Sequence, residues 1–332
     1  ACLALGRYAR LERLDEEAAE AAAKAARDGL RATLEQIGMD VEAANPTPDD
    51  ASALSTAAAA ILVAAIADTP GAGALKPARD ELADLALAAR EPGGGFRRAA
   101  SGRADPAPAP QQALIAHALV RLYDHTRRRD ALEAAQAAMS RLWREHDQRE
   151  AVALLPWIAL AEQDLHRLGK GTPGLLALRE TLRAVRAAQV TAADDSDALE
   201  PGAVREAIGG FKLQSGLVDE PTWHSARPLI ALAAALPNER FVGREDQSQW
   251  LVDAALGLRF LAQLTLTRDA AWYARQPSRA IGGVRTAFWD NRQPVPATAL
   301  ALLAAVEFDH SVRALATQRN RNQPAGDPPD PK

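Results

Sequence analysis

The stretch RAIGGVRTAFWDNRQPVPATALALLAAVEF, Arg279 to Phe308, decides the fold. It joins a Gly-Gly pair, a polar-aromatic loop and an apolar helix that starts after Pro294. Glycine admits backbone conformations closed to other residues, so Gly282-Gly283 marks a tight turn. The helix that follows is apolar on every face, and such a helix needs neighbours on most sides.

The same unit recurs along the chain. Gly-Gly turns at Gly94, Gly209 and Gly282 each stand about fifteen residues before an apolar helix. Ile115-Ala116-His117-Ala118, Ile158-Ala159-Leu160-Ala161 and Ile230-Ala231-Leu232-Ala233 occupy matching points of three such helices, and Ala299 to Ala304 fits a fourth. Pro156 and Pro228 precede two of these runs at the same offset. One-faced helices alternate with them, at Ala78–Arg90, Asp130–Glu145, Leu175–Val190 and Ser248–Leu266. Two concentric rings satisfy both kinds, with amphipathic helices covering the apolar ones from water. The expected architecture is an all-α, (α/α)6-type toroid. Its six inner helices begin near Cys2, Ala51, Gln111, Glu150, Ser225 and Pro294, with five or six outer ones. An open α-solenoid is the rival, but repeat lengths here run from about 40 to 70 residues instead of holding near 34. Closure of the first helix on the last separates the two.

Composition agrees with helices: alanine is abundant, while β-branched and aromatic residues are sparse. The 39 Lys and Arg and 43 Asp and Glu are interspersed, giving a net charge of −4 and no reason to expect nucleic acid as a partner. The run Arg127-Arg128-Arg129 is read as a solvated helix end. Cys2 is the only cysteine, so no internal disulfide can form. No apolar run reaches the roughly 18 to 20 residues of a membrane span without charge or proline. The start at Ala1 is read as export after signal removal in preference to a cytoplasmic location, with a trimmed domain as the alternative. Residues 1–318 are expected to form one toroid domain and 319–332 a disordered Pro-rich tail. The oligomeric state is left open.

Gly94-Gly95-Phe96, Gly209-Gly210-Phe211, Gln263 upstream of Gly282-Gly283, and the Ala/Leu-rich inner helices together resemble the repeats of the squalene-cyclase and protein-prenyltransferase β-subunit superfamily. The likeness covers roughly Ser55 to Phe308. It implies a toroid whose ligands enter a central cavity. The chemistry of that superfamily has no counterpart here. A class II cyclase acid has the form Asp-x-Asp-Asp, whereas Asp194-Asp195-Ser196-Asp197 has another order. A prenyltransferase zinc set needs a cysteine beside Asp and His, and Cys2 stands at the chain start.

In a toroid the loops feeding the inner helices line a cavity mouth, so those loops are the place to look. Two are rich in chemistry: Asp219-Glu220-Pro221-Thr222-Trp223-His224-Ser225 and Phe288-Trp289-Asp290-Asn291-Arg292-Gln293. On the functional reading His224, Asp290 and Arg292 form a catalytic set, with His224 as acid or base. Trp223 and Trp289 stack on a ligand there, and Glu220, Asn291 and Tyr273 add polar contacts. On the structural reading Asp290 or Ser225 caps a helix, Arg292 pairs with Asp290, and the tryptophans lock the loops down. His117 falls in the slot that Leu160 and Leu232 fill in sister helices, and is read as a core or cavity-wall histidine. His125, His146, His166 and His310 end helices and are read as solvated caps. The acidic loop at Asp194–Asp197 is read as solvated.

No P-loop, dinucleotide fingerprint, HExxH or GxSxG is present, so neither cofactor nor metal is expected. The leading expectation is a binding or interaction module that takes a hydrophobic or carbohydrate small molecule, or another protein, at its cavity rim. The alternative is a carbohydrate-active lyase or hydrolase on the same scaffold. That alternative requires His224, Asp290 and Arg292 to converge on one open cavity.

Overall fold

The structure, a computed structural model, describes residues 1–39, 54–99, 105–191, 206–213 and 220–322. The acidic connection at 194–197 and Asp219 lie outside these. Among the described residues there are eleven helices of seven or more residues, and no strand beyond isolated bridges. They are α1 (Cys2–Tyr8), α2 (Glu16–Gln36), α3 (Thr56–Asp68), α4 (Lys76–Ala88), α5 (Ala109–Thr126) and α6 (Arg129–Glu145), followed by α7 (Trp157–Arg167), α8 (Leu175–Ala187), α9 (Ala226–Ala235), α10 (Gln247–Leu264) and α11 (Val295–Asn322).

The odd-numbered helices form the inner ring. Each packs on the next, α1 on α3, α3 on α5, α5 on α7, α7 on α9 and α9 on α11, and α11 returns to pack on α1. That last contact closes the ring, so the chain is a toroid and not an open solenoid. The even-numbered helices lie outside: α2 on α1 and α3, α4 on α3, α6 on α5, and α8 and α10 on α9, with α10 also touching α11. The inner helices start within a few residues of the expected points, the largest difference being α7. There residues 148–154 make short helical turns before the helix proper begins at Trp157.

Alanine lets the inner helices approach closely. In α3, TAAAAILVAAIAD, the alanines are largely buried and the one ionisable residue, Asp68, closes the helix. The helix starts where Ser55 Oγ accepts the Ala58 N–H at 3.1 Å; α2 starts likewise on Asp15, whose carboxylate accepts from Ala18. Helix α11, 28 residues long, is the described helix with the length and apolarity to cross a membrane. Its apolar first half is the inner-ring stave between α9 and α1, and its second half carries Arg313, Arg319 and Arg321.

The Gly-Gly repeat is a joint between outer and inner helices. Gly94, Gly209 and Gly282 have φ of +87°, +94° and +83°, the left-handed region that favours glycine. Two residues on, Phe96, Phe211 and Val284 are buried and pair as isolated bridges with Arg90, Gln189 and Thr265 at the ends of the preceding outer helices. Each of the three donates its backbone N–H to a polar side chain of the incoming inner helix or its entry: Phe96 to Gln112 Oε1 at 3.1 Å, Phe211 to Ser225 Oγ at 3.0 Å and Val284 to Thr298 Oγ1 at 3.0 Å. A buried N–H would otherwise cost about 1 to 3 kcal/mol. Ser225 thus holds a joint instead of capping the helix it precedes, to which its side chain makes no cap bond.

Candidate functional site

Both ends of the inner ring are hollow, and the lining residues reveal how the staves run. One cavity, of about 720 Å³, is lined by Arg7 and Arg10 at the end of α1, Asp68 closing α3, Arg121 of α5, Asp164 of α7, Ala234 of α9 and Glu307 of α11. The other, of about 450 Å³, takes residues at or near the starts of α1, α7, α9 and α11, with Ile61, Leu62 and Ala65 of α3 and Thr33 of α2. The staves are therefore parallel, and the ring has a C-terminal end rich in charge and an N-terminal end that is mostly apolar.

The charged end is one connected network. Arg7, in the last turn of α1, is buried. Its Nε donates to Asp68 Oδ2 at 2.9 Å and its Nη1 to Glu307 Oε1 at 2.5 Å. Asp68 also accepts from Arg121, Nη2 at 2.5 Å and Nε at 3.1 Å, and His125 Nε2 stands 3.3 Å away. Arg121 Nη1 reaches Asp124 at 3.1 Å and Asp164 at 3.4 Å, and Arg167 bridges the same two carboxylates at 2.5 and 3.1 Å. These groups come from α1, α3, α5, α7 and α11. Helical spacing does the local placement: His117, Arg121 and His125 stand four apart on one face of α5, and Asp164 and Arg167 three apart on α7.

Burial works against the charge of Asp68, but Arg7 and Arg121 beside it outweigh burial and hold the carboxyl well below its ordinary value. The same balance, with Asp68, Glu307 and Asp164 as counter-charges, raises Arg7. His117 is fully buried. A guanidinium has only donors, so Arg7 Nη2, 3.2 Å from His117 Nε2, fixes that nitrogen as the acceptor and leaves the proton on Nδ1. Nδ1 faces Asp164 Oδ2 at 3.7 Å and has no hydrogen-bond partner. Burial first and then the Arg7 charge push the imidazole down to about 3, so it is neutral at physiological pH. Its other contact is a stacked ring, Trp157, 5.8 Å between centroids.

The cavity wall above this floor carries Gln163, His166, Arg167, Asn238, Glu239, His310, Ser311 and Gln318. Asn238 Nδ2 donates to Gln163 Oε1 at 3.2 Å, while Gln163 Nε2 is buried and has no acceptor. The ionic lining balances, four arginines against Asp68, Asp164, Glu239 and Glu307. Such a site offers many donors and acceptors and little unopposed charge.

The sequence-predicted residues lie at the other end, and among the described residues they do not gather in either ring cavity. Their two loops do meet: Trp223 N donates to Thr286 O at 3.0 Å, and Thr286 N to Arg292 O at 2.8 Å. Asp290 and Arg292 pair with each other in a bidentate fork, 2.9 Å to each carboxylate oxygen from Nε, with Arg292 exposed. That fork holds Asp290 down at about 2. Asn291 Oδ1 accepts from Tyr273 at 3.3 Å and from Arg285 at 3.4 Å. Trp289 is exposed. His224 stacks on Trp223 with centroids 4.0 Å apart; burial and then Arg227 lower its pKa. Glu220 is half-buried. Of these residues Trp223 lines the apolar cavity and Arg292 a separate surface hollow with Thr286, Gln293 and Pro294.

Sequence reading missed the charged end. His166 and His310, read as solvated caps, line its cavity, and His125 touches Asp68. The signal was an ionisable residue at the far end of each apolar inner-helix run, at Asp68, Arg121, Asp164 and Glu307. Among the described residues no group of three or more His, Cys, Asp or Glu could hold a metal ion.

A solved polysaccharide lyase matches this structure with a TM-score of 0.56 over 94% of this chain and 90% of its own, at 13% identity. The chain has the α/α-toroid fold. At that identity the likeness is one of fold, and the likeness to the terpenoid-cyclase superfamily likewise stands at the level of the toroid. No family model matches the chain. No curated protein matches it either.

Proposed function

We propose that the charged cavity is a saccharide site and that the protein is a carbohydrate-active toroid. The observation that carries this reading is Gln163 Nε2, a buried donor without an acceptor in the wall of a cavity of about 720 Å³ whose ionic charges balance. A buried amide donor asks for an acceptor, and a ligand oxygen satisfies it at no charge cost. Around it, Asn238, Ser311, Gln318, His166 and His310 offer the mixed donors and acceptors that suit a polyhydroxylated ligand. The fold likeness to a polysaccharide lyase supports the same class.

The reaction that fits is elimination from a uronate residue. Arg10, which lines the cavity, donates to Ala67 O and pairs with no carboxylate among the described residues, would face the sugar carboxylate and so acidify the adjacent carbon. His166 would accept its proton as the C–O bond to the leaving sugar breaks, the departing oxygen taking a proton from water. Incubation with a panel of uronate-containing polysaccharides, followed by ultraviolet absorbance of the unsaturated product, tests the reaction. Titration with the oligosaccharides tests the site. Binding that Gln163→Leu weakens, without product, would leave a saccharide-binding module; no binding of any saccharide in the panel would overturn the reading.

A further inference from the structure

The N-terminal end of the ring holds a second cavity that the saccharide reading leaves unused. Its volume is about 450 Å³, and its walls are aliphatic side chains such as Leu3, Ile61, Leu62, Leu300 and Leu303 with the indoles of Trp157 and Trp223. One side-chain cation lies in this wall, Arg227, in the first turn of α9. Its Nε is buried and makes no hydrogen bond, and among the described residues no carboxylate pairs with the side chain. Burial, with nothing opposing it, lowers the guanidinium from its ordinary value. The contrast with the opposite end of the ring is direct: Arg7, Arg121 and Arg167 each have two or more carboxylates within 3.5 Å.

An unpaired cation in an apolar wall is unfavourable unless something anionic joins it. We propose that this cavity binds a single-chain monocarboxylate amphiphile, its alkyl chain between Trp157, Trp223 and the α3 and α11 leucines, and its carboxylate on Arg227. A carboxylate matches the guanidinium in charge and in its two-point geometry. A phosphate monoester would bring a second negative charge for which the lining holds no other side-chain cation, and an alcohol would leave the arginine uncompensated. Val295, which lines the cavity and is exposed, marks the side on which the ligand enters.

The test uses the full chain and three probes of one length: decanoate, decanol and decyl phosphate, titrated by calorimetry. Decanoate is expected to bind on the order of tenfold or more tightly than either of the others, the scale of one charge-assisted pair. Arg227→Met should bring decanoate down to the level of decanol and leave decanol unchanged. Ala299→Phe, which fills the cavity from α11, should abolish binding of all three, with circular dichroism showing both variants folded. Equal binding of decanoate and decanol by the unaltered protein would overturn the proposal. So would decanoate affinity that survives Arg227→Met, or binding that survives Ala299→Phe. Tighter binding of decyl phosphate than of decanoate would overturn the assignment of the head group. None of these outcomes depends on the saccharide cavity.

Discussion

Glu162 offers a measurement that reaches the interior of the ring. It lies on α7, fully buried, with Oε1 accepting from Trp143 Nε1 and from Gly174 N, both at 2.8 Å, while Oε2 has no partner. Burial raises its pKa from 4.5 to about 7, against the two hydrogen bonds, which lower it. Between pH 4.5 and 7 the folded carboxyl keeps a proton that the unfolded one has lost, so the native state binds more protons and stability falls as pH rises. At about 1.4 kcal/mol per pH unit, the interval is worth about 3 kcal/mol. Glu162→Gln keeps the accepting oxygen and removes the titration. Urea unfolding of both proteins should therefore show the variant gaining about 3 kcal/mol relative to the parent between pH 4.5 and pH 7.

His117 acts in the opposite sense. Its folded value of about 3 lies below the ordinary 6.5, so between those limits the unfolded chain holds a proton that the folded ring refuses, and stability falls as pH falls. The two slopes nearly cancel from pH 4.5 to 6.5, and the parent protein should be almost flat there with respect to this pair. His117→Leu, the residue type of the sister slots Leu160 and Leu232, removes the second slope. It should gain about 3 kcal/mol relative to the parent on acidification from pH 6.5 to 4.5. A difference between Glu162→Gln and the parent that does not change with pH would refute the assignment of a raised carboxyl to Glu162.

Two further substitutions probe the scaffold. Asp68→Ala removes the carboxylate shared by Arg7 and Arg121 and leaves two largely buried cations under-compensated; a loss of about 3 to 5 kcal/mol is expected in denaturant unfolding at pH 7. Gly209→Ala places a Cβ about 2.1 Å from Leu256 O at a φ of +94°, so it should cost more than the roughly 1 kcal/mol of an open left-handed glycine, read as a fall in melting temperature. Gly282→Ala, where nothing lies within 4 Å of the new atom, should cost about that 1 kcal/mol alone.

The ring was legible because its signals are local. The turn at Gly94, Gly209 or Gly282 is announced by the glycine itself, and the inner helices by apolar residues on all faces, so repeat spacing led to a closed double ring. The charged floor was not legible, because it is assembled from residues 7, 68, 121, 164 and 307, one from each of five of the six staves, with no short spacing to mark them. The loop clusters at 219–225 and 288–293 drew notice for the opposite reason. Their polar residues stand close in sequence, and in Asp290 and Arg292 that closeness is spent on pairing with each other. Proximity along the chain favours local capping and forks, whereas a site in a ring of parallel helices collects one residue from each.

The direction of the staves then explains the character of the floor. Parallel helices turn all their C-terminal carbonyl groups toward the same end, and each such terminus carries a partial negative charge. Arginines are favoured there, and Arg7, Arg121 and Arg167 all stand in or near last turns. Arg10 Nη2 also donates to Ala67 O at 3.1 Å, satisfying a carbonyl near the end of α3. Asp68 and Asp164 sit against that field and are buried or nearly so, a double penalty that only direct pairing offsets. The arginines can therefore be held by the helix ends as well as by the carboxylates, but the carboxylates are held chiefly by the arginines, with His125 also at Asp68. Removing an arginine should consequently be the more damaging change of any pair. Arg121→Met should destabilise more than Asp164→Asn, and an inverted order in urea unfolding would show that the helix-end field contributes little beside the ion pairs.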